Sequence, residues 1–215
     1  MTGWSATTFS TWPGRDAERI YVGKARANHC LPQAAINDLL IRLARDGRKV
    51  VRLKGGDPFI FGRGGEEAEA LAAAGIAFEV VPGVTAALAC AAQAGIPLTH
   101  RDAARTVTFA TGHTKDGRLE LDFAQLAMGG TIAVYMGVAT LPLLRDGLLQ
   151  AGLDPATPAA LIERGGTRGQ RVLRDTLDRL VALAPEWSTG GPTLIVIGAV
   201  VGRQMTPAET RMAAV

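Results

Sequence analysis

Apolar positions along this chain recur with two periods, and their alternation predicts an α/β protein. Over 32–46, Ile36, Leu39, Leu40 and Leu43 fall at i, i+3, i+4 and i+7, the apolar face of one helix. Gly47 stops it. The continuous run at 49–53 reads as a buried strand, with another expected at 18–22. A helix follows over 65–74, its first turn carrying Glu66 and Glu67, which suit the positive end of a helix dipole, and Gly75 ends it. A strand at 77–81 runs into Pro82-Gly83, and an alanine-rich helix over 84–94 runs into Gly95. Strand and helix in alternation, with short Gly/Pro turns, predict a parallel sheet with crossover helices.

Residues 95–105 read as a connector, with Pro97 and the polar cluster Thr99-His100-Arg101-Asp102. The pattern then restarts, with strands at 106–111, 131–136, 159–162, 171–174 and 192–198 and helices at 122–128, 141–151 and 176–183. The expectation is two α/β lobes, 1–104 and 105–203, with a tail over 204–215 and a ligand cleft between the lobes. Residues 1–17 hold no convincing strand, and 1–15 are expected to be unrelated or disordered sequence. No GxGxxG opens a lobe, so a dinucleotide fold of that kind is not supported.

At 215 residues the chain can bury a sizeable core, and 47% hydrophobic with 20% charged residues is an ordinary globular balance. Aromatics at 5% disfavour base-stacking nucleic-acid modules, and no basic run is present, so no nucleic-acid partner is expected. The net charge of +3 comes from arginines spread along the chain, either as solvated surface or as a cleft for a polyanionic small molecule. Cys30 and Cys90 lack CxxC spacing and His29, His100 and His113 are scattered, so no metal site is expected and a reducing cytoplasm fits. The start lacks a signal-peptide pattern, and the longest apolar run, 194–201, is too short to span a bilayer, so no membrane association is expected.

The chemistry concentrates at strand ends. In VVRLKGGDPFIFGRGGEE (50–67), an apolar strand breaks into Gly55-Gly56-Asp57-Pro58 and a second glycine cluster. Glycines there allow positive φ and close approach of a ligand to backbone, at the strand end where open α/β sheets bind ligands. The reading is a backbone cradle for an adenosyl cofactor; the plainer alternative is a tight turn with Asp57 capping a helix. VPGVTAA (81–87) repeats the arrangement, with Thr85 and the following Ala86 either capping a helix or holding a ligand carboxylate. Tyr135-Met136-Gly137 and Glu163-Arg164-Gly165-Gly166 are two further strand ends, where core packing or a plain turn is the alternative. Lys24, after a Gly23 step, can be a solvated lysine or a group that transfers a proton. Arg63, His100, Arg101, Arg105 and Arg164 can meet anionic groups.

These segments, with DAERIYVGK (16–24), FEVVPGVTAA (78–87), AGIPLTHRD (94–102), TGHTKDG (111–117), YMG (135–137) and IERGGT (162–167), resemble the uroporphyrinogen-III C-methyltransferase family from about residue 16 to 203. The resemblance implies two α/β lobes of the tetrapyrrole methyltransferase type with S-adenosylmethionine between them, usually in a homodimer, and methylation of uroporphyrinogen III to precorrin-2 through precorrin-1. It implies cofactor contacts from Gly55, Gly56, Asp57, Ile60, Thr85, Ala86, Met136 and Gly165 and a proton-donor role for Lys24. The substrate's eight carboxylates give Arg63, His100 and Arg101 a purpose. Family members open with a glycine-rich VGAGPGDPxLLT-type loop and a YDxLV strand, and neither is present here. The first strand or strands of lobe one are therefore expected to be missing. Two alternatives stand beside the main reading: another precorrin C-methyltransferase, or a catalytically impaired remnant of the enzyme.

Overall fold

The computed structural model describes residues 17–23, 31–114 and 118–203. The chain divides into two compact units, Met1–Thr85 and Ala86–Val215. The division falls upstream of the connector at which the sequence reading placed its lobe boundary.

In the first unit, helix α1 (Gln33–Arg45) buries Ile36 and Leu40, two members of the expected face, and packs on helix α2 (Gly64–Ala73). Both helices stop at a left-handed glycine. After α1 comes Gly47 with φ 74°, and Arg48 N–H returns to Leu43 C=O at 3.2 Å. After α2 comes Gly75 with φ 72°, and Ile76 N–H returns to Leu71 C=O at 3.0 Å. Each closes the end carbonyls as a Schellman turn does.

The strands expected at 18–22, 49–53 and 77–81 are not formed: these segments run without a ladder partner among the described residues. The run at 49–53 is not buried either, with Val51 80% and Leu53 56% exposed. Apolar runs mark chain that suits a strand, but a strand exists only when a neighbour pairs with its N–H and C=O groups.

The second unit holds a five-stranded sheet ordered β1-β2-β5-β3-β4: β1 (Val107–Thr111), β2 (Thr131–Tyr135), β3 (Pro158–Glu163), β4 (Arg171–Thr176) and β5 (Thr193–Ile197). Only β1 and β2 pair in parallel; β5 runs antiparallel to both β2 and β3, and β4 antiparallel to β3. The sheet is therefore mixed, which corrects the parallel expectation. The chain reverses through a short hairpin between β3 and β4, a connection that only antiparallel strands accept.

Side chains alternate cleanly between the two faces of the sheet, as the pleat requires. Leu161, Ile195 and Ile197 face a cluster with Leu141, Leu144 and Leu148 of α5 (Leu141–Gln150) and Leu177 and Leu180 of α6 (Leu177–Trp187). Ala133, Ala160, Ile162, Leu194 and Val196 face the other cluster, with Ala87, Cys90 and Ala94 of α3 (Ala86–Ala94) and Val200 and Val201 of a 3-10 turn over Ala199–Gly202. Alanines on both surfaces let α3 sit close to the sheet. The packing of Ala94, Ile96 and Ala104 in this cluster explains why residues 86–104 group with the second unit. A short helix α4 (Phe123–Ala127), capped by Asp122 accepting from Gln125 N–H, completes it. The architecture is mixed α/β. No helix among the described residues is long and apolar enough to cross a membrane.

Candidate functional site

In the first unit the expected cradle is a pair of turns in backbone contact. Asp57 Oδ1 accepts from Phe59 N–H at 2.9 Å and Oδ2 from Gly83 N–H at 3.1 Å. The bonds from Gly83 and then Phe59 hold the Asp57 carboxyl below the usual carboxylate range. Asp57 does not cap a helix, since α2 begins at Gly64; it ties the 55–57 turn to the 82–83 turn. Gly83 is glycine for a steric reason: a Cβ there would lie 2.3 Å from Gly56 C=O. Gly56 itself has φ 75°. Gly55, Gly56 and Gly83 stay exposed, Ile60 is half-buried and Thr85 is buried.

Downstream the loop is packed on itself. Gly64 N–H donates to Pro58 C=O at 3.0 Å, and Cβ atoms on Gly62 or Gly64 would fall 2.6 or 2.5 Å from that same oxygen. Phe61 (φ 51°) and Arg63 (φ 60°) hold left-handed backbone that disfavours side chains. The Arg63 guanidinium is exposed and forked onto Glu66 at 2.8 and 2.6 Å, so its charge is already partnered.

In the second unit the strand ends carry the other candidates. Met136 follows β2 with φ 55° and is 41% exposed, which sets it apart from core methionine. Beside it Gly112 and Gly137 touch through backbone, since a Cβ on Gly112 would lie 2.3 Å from Gly137 Cα; the Thr140 hydroxyl donates to Gly112 C=O at 2.7 Å. Tyr135 Oη accepts from Ala87 N–H at 3.0 Å, anchoring the first turn of α3, which begins at Ala86. Arg164 has φ 51°, and Gly165 packs on α3 so tightly that a Cβ would meet Cys90 Sγ at 2.3 Å. Gly165 is thus required by packing, whatever else it contacts.

Before that turn, Glu163 is fully buried. It accepts from Thr189 N–H and Gly191 N–H at 2.9 and 3.1 Å, from Thr189 Oγ1 at 2.9 Å and from Arg171 at 3.2 Å. Burial pushes its carboxyl up, and the combined donors outweigh that and leave it below the ordinary value. His100 is half-buried, its Nδ1 accepting from Asp102 N–H at 3.1 Å and its backbone bridging to Ala104; Arg101 is exposed. Lys24 lies outside the described residues.

All four non-glycine residues with positive φ among the described residues, Phe61, Arg63, Met136 and Arg164, sit in the segments singled out from sequence. Such backbone costs of order 1–3 kcal/mol each and clusters at functional sites. Glu163, Tyr135 and Glu67 were named from sequence only as members of their segments, and their anchoring contacts were not read. A glutamate ending the apolar run 159–162 was the available signal for Glu163; the partners of Tyr135 and Glu67 are too distant in sequence to be read.

The described residues hold no group of three or more His, Cys, Asp or Glu arranged for a metal. What each unit presents, taken by itself, is glycine-containing turns with strained backbone and buried side chains behind them. The family profile of the Tetrapyrrole (Corrin/Porphyrin) Methylases matches residues 9–181. The chain belongs to that family. It is 58% identical over 188 residues to the siroheme synthase of Azotobacter vinelandii, covering 87% of this chain and 40% of the relative. It is also 58% identical over 196 residues to that of Gluconacetobacter diazotrophicus, covering 90% and 42%. The chain therefore spans about two fifths of the length of these relatives.

Among solved structures, it is similar to the uroporphyrin-III C-methyl transferase from Thermus thermophilus complexed with S-adenyl homocysteine, at 38% identity and a TM-score of 0.73, covering 87% of this chain and 80% of that one. Cobalt precorrin-4 methyltransferase matches at 24% identity and a TM-score of 0.71, a likeness of fold alone.

Proposed function

We propose that the chain catalyses S-adenosylmethionine-dependent C-methylation of uroporphyrinogen III to precorrin-2, by way of precorrin-1, in sirohaem/cobalamin biosynthesis. Membership of the tetrapyrrole methylases supports the reaction class, and the similarity to a uroporphyrin-III C-methyl transferase holding S-adenyl homocysteine supports substrate and co-substrate. One observation carries the reading onto this chain's own residues: its four strained non-glycine residues lie in the segments from which cofactor and substrate contacts are expected.

The residues present fit an adenosyl group in the first unit. Gly55 and Gly56 expose backbone, and the Gly56–Gly83 contact leaves no room for a side chain between the turns. There Gly55, Gly56, Asp57, Ile60 and Thr85 would hold it; in the second unit the candidates are Ala86, Met136 and Gly165. S-adenosylmethionine supplies an activated methyl on a sulfonium, so the protein needs no nucleophile of its own. The chain's task is orientation, which can be worth about 7–11 kcal/mol at best. Met136, half-exposed beyond β2, is the apolar surface offered at the strand end. Arg101 is the free-facing guanidinium for substrate carboxylates, with His100 beside it, while Arg63 must leave Glu66 to serve so. Lys24 is assigned the proton-donor role, and a base must separately remove a ring proton after a ring carbon is methylated. The family resemblance further supports a cytoplasmic homodimer with no nucleic-acid or membrane partner.

The test is incubation of the purified chain with S-adenosylmethionine and uroporphyrinogen III under anaerobic conditions, followed by mass spectrometry. Two successive methyl additions are expected. Methylation of another precorrin instead would move the chain to a neighbouring step, and no methylation by a folded, S-adenosylhomocysteine-binding chain would mark it as an impaired remnant.

A further inference from the structure

Glu67 is the one buried carboxylate among the first unit's described residues, and the proposed reaction makes no use of it. It sits in the first turn of α2 and gathers four side-chain hydrogen bonds. Lys54 Nζ donates to Oε1 at 3.0 Å and to Oε2 at 2.9 Å. Arg52 Nε and Gln33 Nε2 each donate to Oε1 at 3.2 Å. Arg52 and Lys54 are two apart on an extended segment, so they share one face and both meet this carboxylate. Val51 and Leu53, on the opposite face, are exposed. Burial lowers the Lys54 ammonium, more than its bond to Glu67 raises it.

A buried ion pair of this kind is weak evidence for stability, because an apolar pair of like volume often does as well; its best-attested use is to fix register. The register fixed here is that of residues 52–54 against α2. Lys54 is followed directly by Gly55-Gly56-Asp57, and the same loop is pinned downstream to the start of α2 through Gly64 and Pro58. The turn thus hangs between two anchors on one helix, beside its tie through Asp57 to Gly83, and its glycines take their position from these anchors.

We propose that Glu67, through Lys54, is a positioning residue that fixes where the Gly55-Gly56-Asp57 turn presents its backbone to the adenosyl cofactor. This rests on the reading of that turn as a cofactor contact. Loss of a supporting contact loosens a site without removing it, and about a tenfold rise in Kd is expected from one such loss.

The test titrates S-adenosylhomocysteine into the wild-type chain and the Glu67→Gln, Lys54→Met and Lys54→Arg variants, well below every Tm. The amide resonances of Gly55 and Gly56 are followed without ligand. Glu67→Gln and Lys54→Met are expected to weaken binding about tenfold and to shift both amides, while Lys54→Arg, which keeps a cation on Glu67, stays within about twofold. A purely structural role would lower Tm and leave the Kd of folded protein and both amides unchanged, which overturns the proposal. If Glu67→Gln fails to fold, Lys54→Met decides, since it leaves Arg52 and Gln33 on the carboxylate. If the wild type binds nothing, the cofactor reading fails by itself; the amides then decide whether Glu67 positions the turn, and unmoved amides would overturn that too.

Discussion

Gly165→Ala separates a glycine required by packing from one kept for a ligand. Gly165 is not among the residues with positive φ, so alanine fits its backbone. At a compatible, open position such a change stabilises by about 0.4–1 kcal/mol, by restricting the unfolded chain. Here the new methyl would lie 2.3 Å from Cys90 Sγ, 2.9 Å from its Cβ and 3.1 Å from its Cα. The sulfur could rotate away, but the Cβ and Cα move only if α3 retreats from the sheet. That helix is seated on Ala160 and Ile162 with Cys90 itself 3% exposed. Overpacking of this kind costs about 1–3 kcal/mol, and two helix-fixed atoms among the three favour the upper half of that range. The sign therefore reverses, and Tm is expected to fall by about 4–10 °C.

Urea and thermal unfolding followed by far-UV circular dichroism measure the effect. Cys90→Ala removes the nearest atom, so the double variant should recover part of the loss, with a coupling of about 1–2 kcal/mol. A stabilised Gly165→Ala, or strict additivity in the double variant, would refute the packing argument.

Glu163→Gln should destabilise the chain, because Thr189, Gly191 and Arg171 all donate to a carboxylate. The folded carboxyl lies below its unfolded value, so its contribution is complete above the unfolded pKa and is lost as pH falls through the folded one. Unfolding free energies taken from neutral pH downward should show an acid slope that Glu163→Gln flattens; equal slopes would remove Glu163 from the account. Gly83→Ala should weaken S-adenosylhomocysteine binding by at least about tenfold, since its methyl meets a backbone oxygen that cannot rotate aside; calorimetry with unchanged affinity would show that the two turns tolerate separation. Tyr135→Phe keeps the ring against Phe109 and loses the acceptor for Ala87 N–H, so exchange of that amide should quicken while the sheet stays protected.

The helices were legible because their evidence is local. The face at Ile36 and Leu40 and the stops at Gly47 and Gly75 lie within one or two turns of chain. The strands of the second unit were legible as segments but not as a sheet. Nothing local to 194–197 says that β5 lies antiparallel between β2 and β3, because that order is set by partners distant in sequence. In the first unit, the runs at 49–53 and 77–81 show the opposite failure, with sound strand chemistry and no ladder partner among the described residues. Gly56, Met136 and Arg164 were read from sequence as breaks at expected strand ends, and each has a positive φ angle. Glycine patterns alone did not separate Gly165, packed on Cys90, from Gly55 and Gly56, which are exposed. The anchoring contacts of the buried Glu67 and Glu163 stayed hidden because their partners are assembled by tertiary packing.

The most direct test of the central claim is calorimetric titration of S-adenosylhomocysteine into the purified chain and into its Asp57→Ala variant. The Asp57 side chain joins the 55–57 and 82–83 turns. Binding with a Kd on the order of micromolar, lost or weakened at least about a hundredfold in a folded Asp57→Ala chain, is the expected result. A folded wild-type chain that binds no S-adenosylhomocysteine, or an Asp57→Ala chain that binds it equally well, would contradict the assignment of these turns to the cofactor.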